Sequence, residues 1–206
     1  MKQLRPALLL TLFFVAVTGF AFPLAVWAVG LVAFPHEAGG SLIEDSQGRV
    51  VGSALLGQSF GRPEYFHPRP SAAGAGYDAA NSSGTNLGPT SDKLVHGIQD
   101  DPATPDVDET YLGFGDLAKA YREENGLLPD AMIPADAATR SGSGLDPDIS
   151  PANAELQAAR VAKARGLAAE QVRELVARHT AERTLGFLGE PRVNVLELNL
   201  ALDRLK

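Results

Sequence analysis

The apolar residues of this chain are concentrated in one uninterrupted segment near its start. Residues 6–35 contain no Asp, Glu, Lys, Arg or His. A helix over residues 8–34 extends roughly 40 Å at ~1.5 Å per residue, which is enough to cross the ~30 Å hydrocarbon layer of a membrane with some tilt. Pro23 lies in the middle of the run and predicts a kink or a loosened turn. Trp27 and Phe34 lie toward its far end, where aromatic side chains favour the membrane interface. The pattern predicts one transmembrane helix over residues 8–34.

A cleaved signal peptide is the competing interpretation of the same segment. Lys2 and Arg5 form a short basic region, and residues 26–28 read Val-Trp-Ala, which is similar to a cleavage site. The apolar run is about twice the usual 7–15 residues of a signal peptide, and it continues beyond Ala28. This length favours an uncleaved membrane anchor. In both interpretations the rest of the chain is exported.

The charges on the two sides of the run predict its orientation. Lys2 and Arg5 precede it, and the first charges that follow are Glu37, Glu44 and Asp45. The positive-inside rule then places residues 1–7 in the cytoplasm and residues 35–206 outside. Within the run, small residues recur on one helix face at positions 21, 25 and 28. They favour close approach of a neighbouring helix, or they simply reflect a chain rich in alanine.

The segment after the run alternates between short regular elements and long turn-rich stretches. Residues 40–60 contain two short apolar runs around a turn signal at 45–48, which predicts a β-hairpin. Residues 61–90 are dense in Gly, Pro, Asn and Ser, and a loop of this length is usually functional or disordered. Tyr65, Phe66 and Tyr77 are interleaved in it, so we expect an ordered loop pinned to a surface.

Helix signals dominate the remaining sequence. Residues 91–126 are predicted to be mostly helical, with an acidic break that contains proline at 101–108, and residues 127–150 are turn-rich. Ser150 followed by Pro151 predicts a helix start, and Gly166 predicts its end. A second helix follows, with an apolar stripe that consists of Val172, Leu175, Val176 and His179.

The last segment reads as a strand or as a helix. Leucines alternate at positions 196, 198, 200 and 202, yet Asn194 with Glu197 three residues later resembles a capping box. We therefore expect a strand into Val193 and a helix after Asn194. The predicted fold class is α+β: one transmembrane helix and then one extracytoplasmic domain with a short β-hairpin, long ordered loops and C-terminal helices.

Composition excludes several classes of function. The 206 residues include no cysteine, so disulfides, thiol nucleophiles and cysteine-ligated metals are excluded. All 25 acidic residues follow the apolar run, whereas two of the 18 basic residues precede it, so the part after the run carries a formal charge of about −9. Such a surface does not predict nucleic-acid binding.

Candidate chemistry is sparse. The phosphate-binding motifs G-x-x-x-x-G-K-[ST] and G-x-G-x-x-G are absent. Residues 141–144 read Ser-Gly-Ser-Gly, which predicts a flexible turn because no G-x-S-x-G motif and no preceding strand signal accompany them. The four histidines include no pair at helical spacing, so no zinc site is predicted. The acidic residues between 100 and 109 lack the glycine and the closing glutamate of a calcium loop, which predicts a solvated acidic segment.

Several motifs in one order resemble a known family. They are Leu-Arg-Pro-Ala at 4–7, Thr-Gly at 18–19, Gly-Ser-Leu-Ile at 40–43, Gly-Ser-Ala-Leu-Leu-Gly-Gln at 52–58, Tyr-Phe-His at 65–67, Ser-Gly-Leu-Asp-Pro at 143–147, Arg-Val-Ala at 160–162 and Val-Asn-Val-Leu-Glu-Leu-Asn-Leu at 193–200. The chain is similar over nearly its full length to the C subunit of the Kdp potassium-transporting P-type ATPase. It departs at Thr85, where the family tends to have glycine, and in the acidic stretch 100–125.

The resemblance implies an accessory, non-catalytic subunit in a bacterial inner or plasma membrane. Its implied partners are a channel-like K⁺-selecting subunit, a P-type catalytic subunit and a small accessory subunit. The resemblance also implies that this subunit raises the affinity of the catalytic subunit for ATP. ATP is then bound by the catalytic subunit, and no cofactor is expected on this chain itself.

Two questions stay open at this point. If the chain contacts a nucleotide directly, an exposed amide near positive charge is needed, and Gln157 with Arg160 and Lys163 fits best; the alternative is an ordinary polar helix face. In a second hypothesis for the whole chain, it is a membrane-anchored module that binds a small extracytoplasmic ligand, with residues 61–90 forming the pocket.

Overall fold

The structure, a computed structural model, describes residues 3–45, 47–98 and 110–205. The chain divides into two compact units, Met1–Ser53 and Ala54–Lys206. The acidic segment predicted at 101–108 lies outside the described residues.

A long apolar helix forms most of the first unit. It consists of α1 (Leu4–Ala16), one π-helical turn (Val17–Ala21) and α2 (Phe22–Ala33), and it is long and apolar enough to cross a membrane. Pro23 lacks an N–H group, and the preceding turn is widened, because the N–H of Phe22 donates to the carbonyl of Val17, five residues back. The predicted loosened turn is confirmed.

A short helix and a hairpin complete the first unit. Helix α3 (Pro35–Ala38) is followed by strands β1 (Leu42–Glu44) and β2 (Val50–Ser53), which pair antiparallel with a bulge after Ile43. The Asp45 carboxylate closes the turn, because it accepts hydrogen bonds from the N–H groups of Gln47 at 2.8 Å and Arg49 at 3.0 Å. The predicted hairpin is confirmed.

The second unit packs helices around a small antiparallel sheet. Its helices are α4 (Asp92–His96), α5 (Phe114–Glu124), α6 (Ala135–Ala138), α7 (Pro151–Arg165), α8 (Ala169–Arg178) and α9 (Val195–Asp203). Its strands are β3 (Asp148–Ile149), β4 (Thr180–Ala181) and β5 (Arg192–Asn194), in the order β3-β5-β4. The fold of this unit is therefore mixed helix and strand, as predicted.

Local signals set the ends of the main helices. The Ser150 hydroxyl accepts a hydrogen bond from the N–H of Asn153 at 3.1 Å, and Gly166 ends α7 with a left-handed φ of 67°. The Asn194 side chain caps α9 by accepting from the N–H of Glu197 at 3.1 Å. All three predicted boundaries are confirmed. Helix α8 ends at Arg178, one residue before His179.

The core of the second unit lies between α7, α8, α9 and strand β5. Its fully buried members include Val161, Val172, Val193 and Leu198. Phe66 joins them from the long loop and is completely buried. Burial of one such side chain contributes about 1.5–3 kcal/mol to folding, so the loop supplies part of the core.

The loop over residues 61–90 is ordered although it has little regular structure. It contains one 3₁₀ turn (Ala79–Asn81). The Tyr77 hydroxyl donates to the carbonyl of Arg69 at 2.5 Å, and the Ser71 hydroxyl donates to the carbonyl of Gly144 at 2.6 Å. The prediction of an ordered loop held by its aromatic residues is confirmed for Phe66 and Tyr77.

Candidate functional site: a polar clamp on residues 63–67

Helix α7 carries the three residues that the sequence singles out for nucleotide contact. Gln157, Arg160 and Lys163 follow one another at intervals of three residues. Lys163 is exposed, but only 1% of Gln157 is accessible to solvent. The expectation of an exposed amide at Gln157 is therefore wrong, because this position faces the loop 61–90 and not solvent.

The Gln157 amide binds the backbone of the loop. Its Oε1 accepts from the N–H of His67 at 2.8 Å, and its Nε2 donates to the carbonyl of His67 at 2.9 Å. Nε2 also donates to Oδ1 of Asn153, one helical turn earlier, at 2.9 Å. The side chain thus satisfies a backbone donor and a backbone acceptor that would otherwise be desolvated without a partner.

Asn199 on helix α9 makes the same pair of contacts to the neighbouring residue. Its Oδ1 accepts from the N–H of Phe66 at 2.8 Å, and its Nδ2 donates to the carbonyl of Phe66 at 3.0 Å. Two amides on two helices therefore hold consecutive residues of the loop. This arrangement fixes the Phe66 ring in the core.

Two arginines complete the clamp, which we define as Gln157, Asn199, Arg160 and Arg165. Arg160 donates to the backbone carbonyls of Pro63 at 2.7 Å and Tyr65 at 3.0 Å, and Arg165 donates to the backbone carbonyl of Glu64 at 2.7 Å. Side-chain contacts orient both guanidinium groups: Arg160 also donates to Oε1 of Gln157 at 2.8 Å and to Oδ1 of Asn125 at 3.0 Å. Arg165 also donates to the carboxylate of Asp203 at 2.9 Å. The clamp thus binds the backbone of every residue from 63 to 67.

The charged groups beside the clamp are paired. The carboxylate of Glu124 lies 2.6 Å from Nδ1 of His67 and 3.9 Å from Nε of Arg160. The hydrogen bond from His67 holds the pKa of Glu124 below its usual value. Burial lowers the pKa of Arg160, while the charge of Glu124 opposes that shift. The cluster therefore stabilises the loop electrostatically as well as by hydrogen bonds.

The clamp leaves little of the predicted nucleotide site available. All three guanidinium nitrogens of Arg160 donate to groups of this chain. Lys163 lines a depression of about 520 Å³ together with Arg160, but Glu123 and Glu124 line it too. Their negative charge opposes a triphosphate. Direct nucleotide contact by Gln157, Arg160 and Lys163 stays a prediction.

The N-terminus of α7, where a phosphate would otherwise be favoured, is occupied by a side chain that sequence reasoning missed. Asp136 accepts from the Ser150 N–H at 2.8 Å, from the Ser150 hydroxyl at 2.9 Å and from Nδ2 of Asn153 at 3.0 Å. Asp148 lies nearby, and burial raises the pKa of its carboxyl. Carboxylates therefore surround this helix end.

The sequence contains a pattern from which the buried amides of the clamp could have been predicted. Asn153 and Gln157 lie four residues apart among the buried small apolar residues of α7, and Asn199 lies between buried leucines of α9. A polar side chain on an apolar helix face must find a partner in the fold. The pattern identifies buried amides, but it does not identify which backbone they bind.

The other candidate groups have structural surroundings. Ser141 is buried, and the turn at residues 141–144 packs its Gly144 against the backbone of Ser83 and Ala73, so it is a packed turn and not a flexible one. The described residues contain no group of three His, Asp or Glu side chains that could hold a metal ion. His67 and Tyr77 of the loop 61–90 line a depression of about 230 Å³ together with Glu124. The hypothesis that this loop forms a pocket for a small ligand stays a prediction.

Comparison with known proteins gives similarity over the whole chain. A family model described as "KdpC: K+-transporting ATPase, c chain" matches residues 4–204. The chain is 52% identical over 204 residues to the "Potassium-transporting ATPase KdpC subunit" of Mycobacterium tuberculosis (strain H37Rv), with 99% of each chain covered. It is 53% identical over 203 residues to the protein of the same name from Caulobacter vibrioides, with 98% of this chain and 93% of that protein covered. The similarity includes both the apolar helix and the clamp.

Proposed function

The chain belongs to the family of KdpC subunits of K⁺-transporting ATPases, and on this premise we propose that it is a non-catalytic subunit that stabilises the assembled potassium pump. The match over residues 4–204 carries the proposal. Its partners are a channel-like subunit that selects K⁺, a P-type subunit that hydrolyses ATP and a small accessory subunit.

The chemistry of the second unit supports a structural role. The polar side chains that are concentrated on α7 and α9 hold residues 63–67 of the same chain. Such a clamp gives an irregular loop one conformation, which is what a surface needs if it is to fit a partner without a large entropy cost on binding.

The proposal includes an orientation. Residues 1–7 lie in the cytoplasm, the apolar helix crosses the membrane, and residues 35–206 lie outside. The change from basic residues before the helix to acidic residues after it supports this orientation.

We further propose that any gain in ATP affinity is allosteric. In the proposed orientation, the second unit and cytosolic ATP are on opposite sides of the membrane, and the α7 N-terminus already binds Asp136. The chain would then favour a pump conformation that binds ATP better, with a coupling free energy of about 1–3 kcal/mol.

Two experiments test these proposals. When the affinity-tagged chain is purified from its native host in mild detergent, we expect the channel-like and P-type subunits to co-purify, and a deletion strain should fail to grow at low K⁺ until the gene is restored. If the chain purifies alone and the deletion strain grows normally, the subunit role is wrong and the small-ligand alternative gains support.

Calorimetry on the full-length chain in detergent, titrated with ATP at physiological salt, tests the allosteric proposal. We expect no saturable heat in the micromolar range from the chain alone. Saturable micromolar binding that is lost in Lys163→Ala, an exposed position outside the clamp, would establish a direct site instead.

A further inference from the structure

A small hairpin between β4 and β5 presents three large apolar side chains to solvent. We call residues 184–189 the tip. Leu185 is 79% exposed, Phe187 is 68% exposed and Leu188 is 50% exposed. The tip contains no charged residue.

The backbone of the tip is well organised. Thr184 and Leu188 exchange two backbone hydrogen bonds, each of 2.9 Å, and the N–H of Phe187 donates to the carbonyl of Thr184 at 3.3 Å. At the base of the hairpin, Arg183 forms an ion pair with Glu190. The backbone therefore fixes the points from which these apolar side chains project, before any partner arrives.

The choice of residue at position 185 is unfavourable for the fold itself. Leu185 and Gly186 have φ values of 55° and 80°, both in the left-handed region that favours glycine. Asn, Asp or Gly occupies the first of these positions at lower cost, whereas leucine is strained there. Since most of the Leu185 side chain lies in solvent, its contacts within the chain do not compensate for that strain.

The size of the tip argues against a symmetric contact in which the tips of two copies of this chain face each other. With roughly 200 Å² of surface for each large apolar side chain, the exposed fractions leave roughly 400 Å² open to water. Two tips that face each other would bury roughly 800 Å² in total, which is below the ~1,200 Å² of a stable interface. As the apolar centre of a larger interface with a different protein, the same area is sufficient.

The charges near the tip argue against a membrane surface. Membrane-binding loops usually combine apolar residues with basic residues that attract anionic lipids. Here Arg183 is paired with Glu190, and Arg192 lies 3.1 Å from Asp148. The flanks therefore offer no excess of positive charge to lipid headgroups.

We infer that the tip is a docking anchor: Leu185 and Phe187 insert into an apolar pocket on another subunit of the potassium-transporting complex. This inference rests on the proposed function, because it requires that the chain assembles with other subunits. Leu188 extends the apolar surface around the two inserted side chains.

The first test measures assembly. The purified full-length chain is titrated in detergent onto immobilised partner subunits that were isolated from a strain lacking it. We expect the Leu185→Ser/Phe187→Ser variant to bind at least roughly tenfold more weakly than the wild type, as truncation of interface anchors usually does. Leu128→Ser/Met132→Ser removes exposed apolar surface elsewhere, at positions that are 72% and 93% exposed, and should bind like the wild type.

The outcomes separate the inference from the proposed function. If the wild-type chain does not bind the partner subunits, the proposed function fails. If the wild type binds and the tip variant binds equally well, the proposed function stands and the docking anchor is wrong. Thermal unfolding of both variants verifies that each one is folded.

The second test identifies the occupant directly. The chain has no cysteine, so Thr184→Cys introduces a unique thiol beside the tip and leaves its apolar side chains intact. A maleimide–benzophenone photocrosslinker on this thiol should give an adduct with a partner subunit in the purified complex. Adducts only with lipid, or only with a second copy of this chain, would overturn the inference.

Discussion

The clamp makes a quantitative prediction for Gln157. In Gln157→Ala, the N–H and carbonyl of His67 lose their partners, and each unsatisfied group costs about 1–3 kcal/mol when it is buried. His67 is only partly buried, so we use the lower part of this range and add about 1 kcal/mol for lost packing. The free energy of unfolding should therefore decrease by about 2–4 kcal/mol. For a unit of about 150 residues, this corresponds to a decrease in Tm of about 5–15 °C.

Tyrosine signals provide the assay, because all four tyrosines lie after residue 53 and the single tryptophan lies in the apolar helix. Near-ultraviolet circular dichroism of the full-length chain in detergent thus follows the second unit. Gln157→Met keeps most of the packing and removes the hydrogen bonds, so it should recover only the packing part of the loss. Lys163→Ala, on the same helix but exposed, should change stability by less than about 0.5 kcal/mol.

Two results would refute this reasoning. If Gln157→Ala and Gln157→Met both unfold within about 0.5 kcal/mol of the wild type, the amide does not hold the loop. If both are as stable as the wild type but the assembled pump loses ATP affinity, Gln157 acts on nucleotide binding and not through the clamp.

Three further predictions concern pH, backbone conformation and orientation. Because the pKa of Glu124 is lowered in the folded state, its carboxylate stabilises the fold at pH values above 4.5, its usual pKa, and this contribution is lost as the pH falls through the lower folded pKa. In denaturant unfolding between pH 6 and pH 3, the free energy of unfolding of Glu124→Gln should therefore decrease less with acid than that of the wild type. An equal decrease in both proteins would contradict the stabilising role of the Glu124 carboxylate. Gly166 has a φ of 67° and open space around it, so Gly166→Ala should lower the free energy of unfolding by about 1–2 kcal/mol. Gly144→Ala should lower it further, because the added Cβ would lie 2.6 Å from the carbonyl oxygen of Ser83. A smaller loss for Gly144→Ala than for Gly166→Ala in urea unfolding would argue against this packing. Met132→Cys should react with a membrane-impermeant maleimide in intact spheroplasts and Gln3→Cys only after lysis, and the reverse pattern would refute the proposed orientation.

Local physical chemistry was sufficient to predict the long apolar helix, its irregular turn and the ends of two later helices from the sequence. An uncharged run of this length forms a long apolar helix, and Pro23 must disturb it because proline has no N–H to donate. Ser150, Gly166 and Asn194 set helix ends through contacts within three or four residues of themselves. Such signals depend on neighbours along the chain, so they can be read without a fold.

The clamp could not be predicted in the same way, because its partners are far apart in sequence. Gln157 binds a residue 90 positions earlier, and Asn199 binds one 133 positions earlier. The sequence shows that both positions are polar on largely apolar helices, and the same pattern also fits a ligand-binding amide. Only tertiary packing, which brings residues 66 and 67 between α7 and α9, decides that these amides are buried against the backbone of the loop.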